Sequence, residues 1–127
     1  MSYTEWKIIV VEDTFDDQQV VSYMLQHYGI EVFIAHNGDE CLQLLQDVEP
    51  TLIVTDLAMP QRDGWQTLVL LRSNAKTAHI PVVAITAYHN AEVAEDAMRM
   101  GFDGYFQKPL NPQTFVSRLD AILGLNA

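Results

Sequence analysis

The sequence predicts an α/β fold: a doubly wound parallel sheet of five strands, (βα)5, with helices on both faces. Two observations predict it. Short β-branched apolar runs alternate with helically spaced apolar residues from end to end, and most of the runs are apolar at successive positions, as strands covered on both faces are. The size agrees, because 127 residues, 49% of them hydrophobic and 19% charged, suit one globular domain over 1–127 without linker, repeat or low-complexity stretch.

The elements follow in order. Lys7-Ile8-Ile9-Val10-Val11 is the first strand. Val20, Val21, Met24, Leu25 and Tyr28 then recur at helix spacing, with Gly29 where a C-terminal cap belongs. Glu31-Val32-Phe33-Ile34-Ala35 is the second strand, and the helix after it spans 38–48 with Cys41, Leu42, Leu44, Leu45 and Val48 inward. Thr51-Leu52-Ile53-Val54-Thr55 is the third strand, followed by a helix over 65–73. Pro81-Val82-Val83-Ala84-Ile85-Thr86 leads to a helix over 91–100 that stops before Gly101. The short run Gly104-Tyr105-Phe106-Gln107 precedes a last helix, from Pro112 at a first helical position to Leu123 before Gly124.

Composition excludes several classes. No apolar run approaches the roughly 18–20 residues of a membrane-spanning helix, and Met1-Ser2-Tyr3-Thr4-Glu5-Trp6 lacks the basic start and apolar stretch of a signal peptide. One cysteine, Cys41, cannot form an internal disulfide and reads as a small core residue. The expected location is therefore the cytoplasm. A formal net charge of −10 repels phosphate backbones, so neither direct nucleic-acid binding nor a membrane partner is expected.

In open parallel sheets, ligands bind beyond the carboxyl ends of the strands. Here the first strand ends in Glu12-Asp13, the third in Asp56 and the fourth in Thr86, while Lys108 follows the fifth. Three carboxylates, a hydroxyl and an ammonium should therefore converge. Carboxylates forced together repel unless protonated or neutralised, and Mg2+ accepts a few of them together with waters and phosphate oxygens. A carboxylate beside such a cation can attack phosphorus, with the ammonium and hydroxyl holding the other phosphoryl oxygens.

With these residues the chain resembles a two-component response-regulator receiver domain, of the flavodoxin-like fold shared with the chemotaxis switch protein. The residues carrying the resemblance are Glu12-Asp13, Thr55-Asp56-Leu57-Ala58-Met59-Pro60 followed by Gly64, Thr86-Ala87 and Lys108-Pro109. Each alone is a weak signal, and their order, each just past a predicted strand, is a strong one. The resemblance implies strand order 2-1-3-4-5 and a cis peptide between Lys108 and Pro109. It implies Asp56 as phosphoacceptor, and a Mg2+ pocket of Glu12, Asp13, Asp56 and the main-chain carbonyl of Ala58. It further implies Thr86 as the switch hydroxyl, Tyr105 as the switch aromatic and Lys108 as the phosphate-binding ammonium. Glu12 stands where the family usually has Asp, and its longer arm changes how the metal is reached. The implied partners are a histidine kinase or phosphotransfer protein and a downstream protein that docks on the face made by the fourth helix, fifth strand and fifth helix.

Plainer readings exist for each residue alone. A strand-end Asp can cap a loop, a strand-end Thr is a β-former, Lys-Pro is a turn, and Tyr105 can be core packing. The acids of Asp13-Thr14-Phe15-Asp16-Asp17 suit a helix start; Asp16 and Asp17 are expected to serve the helix and Asp13 the metal. His27, His36, His79 and His89 lack metal-ligand spacing and read as structural or exposed. Trp65 reads as core or a partial lid, and Arg118 as part of a solvated face. A haloacid-dehalogenase-type phosphatase uses a similar set but needs a second Asp two residues beyond its nucleophile, where this chain has Ala58. A pseudo-receiver would need a degraded site. The chain is thus expected to be a phosphoacceptor switch with slow self-dephosphorylation, not a turnover enzyme, the small Ala58 and bulky Tyr88 flanking the approach of water; the plainer reading of Tyr88 is a surface residue or a partner contact against the fourth helix. Only four residues follow Leu123, which leaves open a stand-alone regulator or a receiver cut from a longer protein.

Overall fold

The computed structural model describes residues 3–58 and 63–125. Its elements are β1 (Lys7–Val11), α1 (Phe15–Gln26), β2 (Glu31–Ala35), α2 (Gly38–Leu44), β3 (Leu52–Asp56), α3 (Gly64–Ser73), β4 (Val82–Thr86), α4 (Ala91–Met100), β5 (Gly104–Gln107) and α5 (Phe115–Leu125). The five strands form one parallel sheet in the order β2-β1-β3-β4-β5, as expected. Met59 and Pro60 of the motif after β3 lie outside the described residues.

Strand side chains alternate between two apolar layers because their period is two. Ile8, Val10, Leu52, Val54, Val83 and Ile85 pack with Val21 and Leu25 of α1 and Phe115, Val116 and Leu119 of α5. Ile9, Val11, Ile53, Val82 and Ala84 face the other way, against Cys41 of α2, Leu68 and Leu71 of α3 and Ala97 of α4. With helices on both faces, every residue of β3 and β4 is buried, which is why those runs carry no polar alternation. Cys41 belongs to this core as expected, and burial pushes its thiol up to about 12, so it stays a neutral packing group.

Several boundaries differ from the sequence expectation. α1 starts at Phe15 and turns only one stripe inward: Val21 and Leu25 are buried, but Val20 is 50% exposed and Tyr28 37%. α2 stops at Leu44 because its end tightens, with Gln46 N donating to Gln43 O and Asp47 N to Leu44 O. This leaves Val48 half-buried beyond the helix. α5 begins at Phe115, not Pro112, since the Asn111 side chain accepts from Gln113 N and forms a turn first. Gly124 lies inside that helix, whereas Gly101 ends α4 in the left-handed conformation (φ 109°) that glycine adopts without a Cβ clash.

Arg72, which the sequence did not single out, braces the sheet end away from the Asp56 edge. Its guanidinium donates to the carbonyls of Ala78 (3.1 Å), Ile80 (2.7 Å) and Gly101 (3.2 Å) and to Asp103 Oδ2 (2.9 Å). One planar fork thus joins α3, the loop before β4 and the start of β5. Arg72→Ala is expected to lower stability by about 1.5–3 kcal/mol, the range for hydrogen bonds to a charged group, with the m-value unchanged in urea unfolding.

Candidate functional site

β1 has neighbours on both sides whose chain connections run in opposite directions, so a crevice opens where β1 and β3 end. The register fixes what lines it. Val11 pairs with Thr55 and Asp56 pairs with Ile85, so the residues that follow β1 and the last residue of β3 emerge side by side. Ligand oxygens of Glu12, Asp13 and Asp56 lie within 4.8 Å of one another. Asp13 and Asp56 line a cleft of about 590 Å³ together with Asp17, Ala58, Tyr88 and Lys108, and Glu12 lies buried behind them.

Lys108 supplies the countercharge. Its Nζ donates to Asp56 Oδ2 at 2.8 Å and to Asp17 Oδ2 at 3.2 Å, and lies 2.8 Å from Glu12 Oε1. Glu12 is thus ion-paired with Lys108, and among the described residues no other group satisfies its fully buried carboxylate. Burial pushes the Glu12 carboxyl up to about 8, and attraction to Lys108 offsets only part of this. Burial also works against the Lys108 ammonium, yet hydrogen bonds and attraction from Asp56 and Glu12 outweigh it and hold its pKa above the ordinary lysine value.

The surrounding backbone holds the carboxylates in place. Ala58 N donates to Asp56 Oδ1 at 2.9 Å, and the buried Gln18 of α1 donates through Nε2 to the Glu12 carbonyl at 2.8 Å. The Lys108–Pro109 peptide is cis, as expected, and Lys108 N donates to Thr86 O. Asp17 stands in the first turn of α1, as expected, and in addition reaches Lys108. Burial raises its pKa, but hydrogen bonds from the Thr14 hydroxyl and from Lys108 outweigh this and leave its carboxyl below the ordinary value. No motif marks Asp17 or Gln18; their helix positions, four and five residues past Asp13, are the signal that was available.

Thr86 and Tyr105 are placed differently. Thr86 is buried at the end of β4, the strand beside β3, and its hydroxyl oxygen accepts from Tyr88 N at 3.0 Å. Tyr105 lies on β5, half-buried against the core layer of α3 and α4, with its hydroxyl 2.9 Å from His89 Nδ1. Tyr88, 76% exposed, lines the cleft together with Ala58. Trp65 is partly buried and packs edge-on against Phe102, and the exposed Arg118 guanidinium sits 4.4 Å over the Phe106 ring.

An ion of hard character fits this donor set. The oxygens are close enough to share one cation, and three carboxylates facing the Lys108 ammonium leave negative charge that a cation would satisfy.

The fold and this cluster of acids and lysine are shared with known proteins. The chain belongs to the response regulator receiver domain family, whose model matches residues 8–120. It is 38% identical over 105 residues to a 14.6 kDa protein in the sodA1 3′ region of Leptolyngbya boryana, covering 83% of this chain and 80% of that one. It is 32% identical to the phosphate regulon transcriptional regulatory protein PhoB of Klebsiella pneumoniae and 33% to the transcriptional regulatory protein CpxR of Escherichia coli, covering 92% of this chain in both. The chain spans about half the length of those two regulators, 51% and 49%. Among solved structures it resembles the chemotaxis protein CheY4 of Vibrio cholerae, with a TM-score of 0.84 at 28% identity over 92% of this chain and 98% of that one. A putative response regulator from Chloroflexus aurantiacus gives 0.87 at 26% identity, covering 94% and 98%. Domains of this family are phosphorelay signalling switches of two-component systems, not typical turnover enzymes. Among the described residues no helix is long and apolar enough to cross a membrane.

Gly64 shows how closely the site is supported. A Cβ there would lie 2.5 Å from the Asp56 carbonyl oxygen and 3.0 Å from Leu57 Cα, both backbone atoms that cannot turn aside. At Gly104 the 2.5 Å contact is with the mobile end of Ile122. Gly64→Ala is therefore expected to cost about 1–3 kcal/mol in denaturant unfolding and to shift the Asp56 backbone NMR signals. Gly104→Ala should cost less and leave those signals in place.

Proposed function

We propose that Asp56 accepts a phosphoryl group from a phosphohistidine on a histidine kinase or phosphotransfer protein in a Mg2+-dependent reaction. Glu12, Asp13, Asp56 and the main-chain carbonyl of Ala58 would hold the metal. The observation that carries this reading is the Lys108 ammonium, 2.8 Å from both Asp56 and the fully buried carboxylate of Glu12. When bound, the cation supplies countercharge for the carboxylates and for the incoming phosphoryl oxygens.

The chain's own residues do the rest. A carboxylate oxygen of Asp56 attacks phosphorus as the P–N bond breaks. The bond's electron pair stays on the donor's imidazole nitrogen, and the other ring nitrogen carries the proton that leaves the imidazole neutral. The hydrogen bond from Ala58 N orients the Asp56 carboxylate. Lys108, only 15% exposed, exchanges a carboxylate partner for a phosphoryl oxygen without leaving the cleft. Thr86 accepts from Tyr88 N, so its own O–H remains available to donate to the phosphoryl group. Drawing Thr86 inward opens space for Tyr105 and passes the signal to the face of α4, β5 and α5, where a downstream protein docks. Ala58 cannot orient a water, and Tyr88 covers part of the approach, which favours slow self-hydrolysis. The chain would carry out this exchange in the cytoplasm, as one receiver domain over 1–127.

With Mg2+ and acetyl phosphate, the intact protein is expected to gain one phosphate that is lost at alkaline pH. Asp56→Asn should abolish the gain in intact-mass measurement, since an amide is a poor nucleophile and a poor metal ligand. Undiminished labelling of that variant would place the acceptor elsewhere.

A further inference from the structure

His89 stands in the loop between β4 and α4, three residues past Thr86, and no element of the proposed phosphate chemistry uses it. Its ring is exposed, yet it is not free. Nδ1 lies 2.9 Å from the Tyr105 hydroxyl, and the two rings are 5.5 Å apart at a 45° tilt. Either neutral tautomer satisfies the pair: Nδ1 accepts from the phenol O–H, or Nδ1–H donates to the phenol oxygen. The loop that carries His89 is anchored at both ends. Tyr88 N donates to Thr86 Oγ1 on one side, and the Asn90 side chain accepts from Val93 N as the N-cap of α4 on the other. Three successive residues thus tie the strand-end hydroxyl, the β5 aromatic and the start of α4 to one short segment.

We infer that His89 is a positioning residue: its hydrogen bond to the Tyr105 hydroxyl holds that ring in its half-buried position and sets how readily the site can draw it inward. The inference rests on the proposed coupling of Thr86 to Tyr105. A ring that must break this bond to move inward carries a bias toward the resting state equal to the net worth of the bond. An exposed, neutral hydrogen bond shifts such an equilibrium by about two- to ten-fold. By reciprocity, any ligand at Asp56 that favours the moved ring binds more weakly by up to the same factor. The core contacts of Tyr105 are made by its ring carbons, whereas this bond is made by the hydroxyl alone, so the two contributions can be separated.

The experiment uses the full chain with Mg2+ and beryllofluoride, an unreactive stand-in for the phosphoryl group, and Tyr labelled with 13C at the ring carbon bearing the hydroxyl. His89→Ala is expected to shift the Tyr105 ring signal of the ligand-free protein and to tighten beryllofluoride binding about two- to ten-fold. His89→Asn, whose amide can take the place of Nδ1, should restore both toward wild type. In a Tyr105→Phe background, His89→Ala should leave the affinity unchanged, because the hydroxyl is already gone. An unmoved Tyr105 signal, an unchanged or weaker affinity in His89→Ala, or an equal effect in the Phe background would each overturn the inference. Failure of the wild type to bind beryllofluoride at all would instead overturn the phosphoacceptor reading, and the Tyr105 signal would still decide whether the hydrogen bond exists.

Discussion

One charge imbalance organises this molecule: a single ammonium, Lys108, faces the carboxylates of Glu12, Asp17 and Asp56, with Asp13 beside them. Two unit charges about 4 Å apart interact by roughly 4 kcal/mol at an effective dielectric constant near 20, so gathering like charges at one sheet edge costs more than an ordinary surface contact stabilises. The sheet bears that cost because strand register leaves the side chains nowhere else to go. Glu12 follows a strand whose four preceding residues are fully buried, and its amide still donates to Ala35 O as the ladder ends. The fold is thus the device that holds repelling groups together, and the site is a place where an added positive charge would be welcome.

The same constraint explains the supporting details. Gln18 is buried to hold the Glu12 carbonyl, and Gly64 lacks a side chain because α3 must start against the backbone of Asp56. The capping box at the start of α3, with Asp63 accepting from Gln66 N while Gln66 accepts from Asp63 N, fixes the first turn of that helix. None of these residues carries chemistry. Each limits how the backbone around the site can move, and the nucleophilic role proposed for Asp56 would gain from such confinement.

Much of this was legible in the sequence, for identifiable reasons. Apolar runs without polar alternation, at 8–11, 52–54 and 82–85, report burial on both faces, and that condition implies a sheet sandwiched by helices. The acids, threonine and lysine were legible because each falls at a strand's carboxyl end, a position the fold brings to one edge. What remained hidden depends on side-chain reach across elements. Asp17 looked like a helix-start acid and is one, but its partner stands 91 residues away. Arg72 drew no attention in the sequence, yet from the last turn of α3 it clasps carbonyls from two other segments. His89 looked like an unassigned surface histidine, since nothing in its local sequence says that a tyrosine from the next strand lies beside it. Helix ends were misjudged where local hydrogen bonds decided them, at Leu44 and at Asn111, because apolar spacing does not encode those bonds.

The charge account is tested most directly by calorimetric titration of Mg2+ into the wild type and Lys108→Met, a neutral side chain of similar reach. If Lys108 occupies the carboxylates in competition with a cation, its removal relieves that competition, and the variant should bind Mg2+ several-fold more tightly while its metal-free form is less stable. Equal or weaker Mg2+ binding by Lys108→Met would contradict the account.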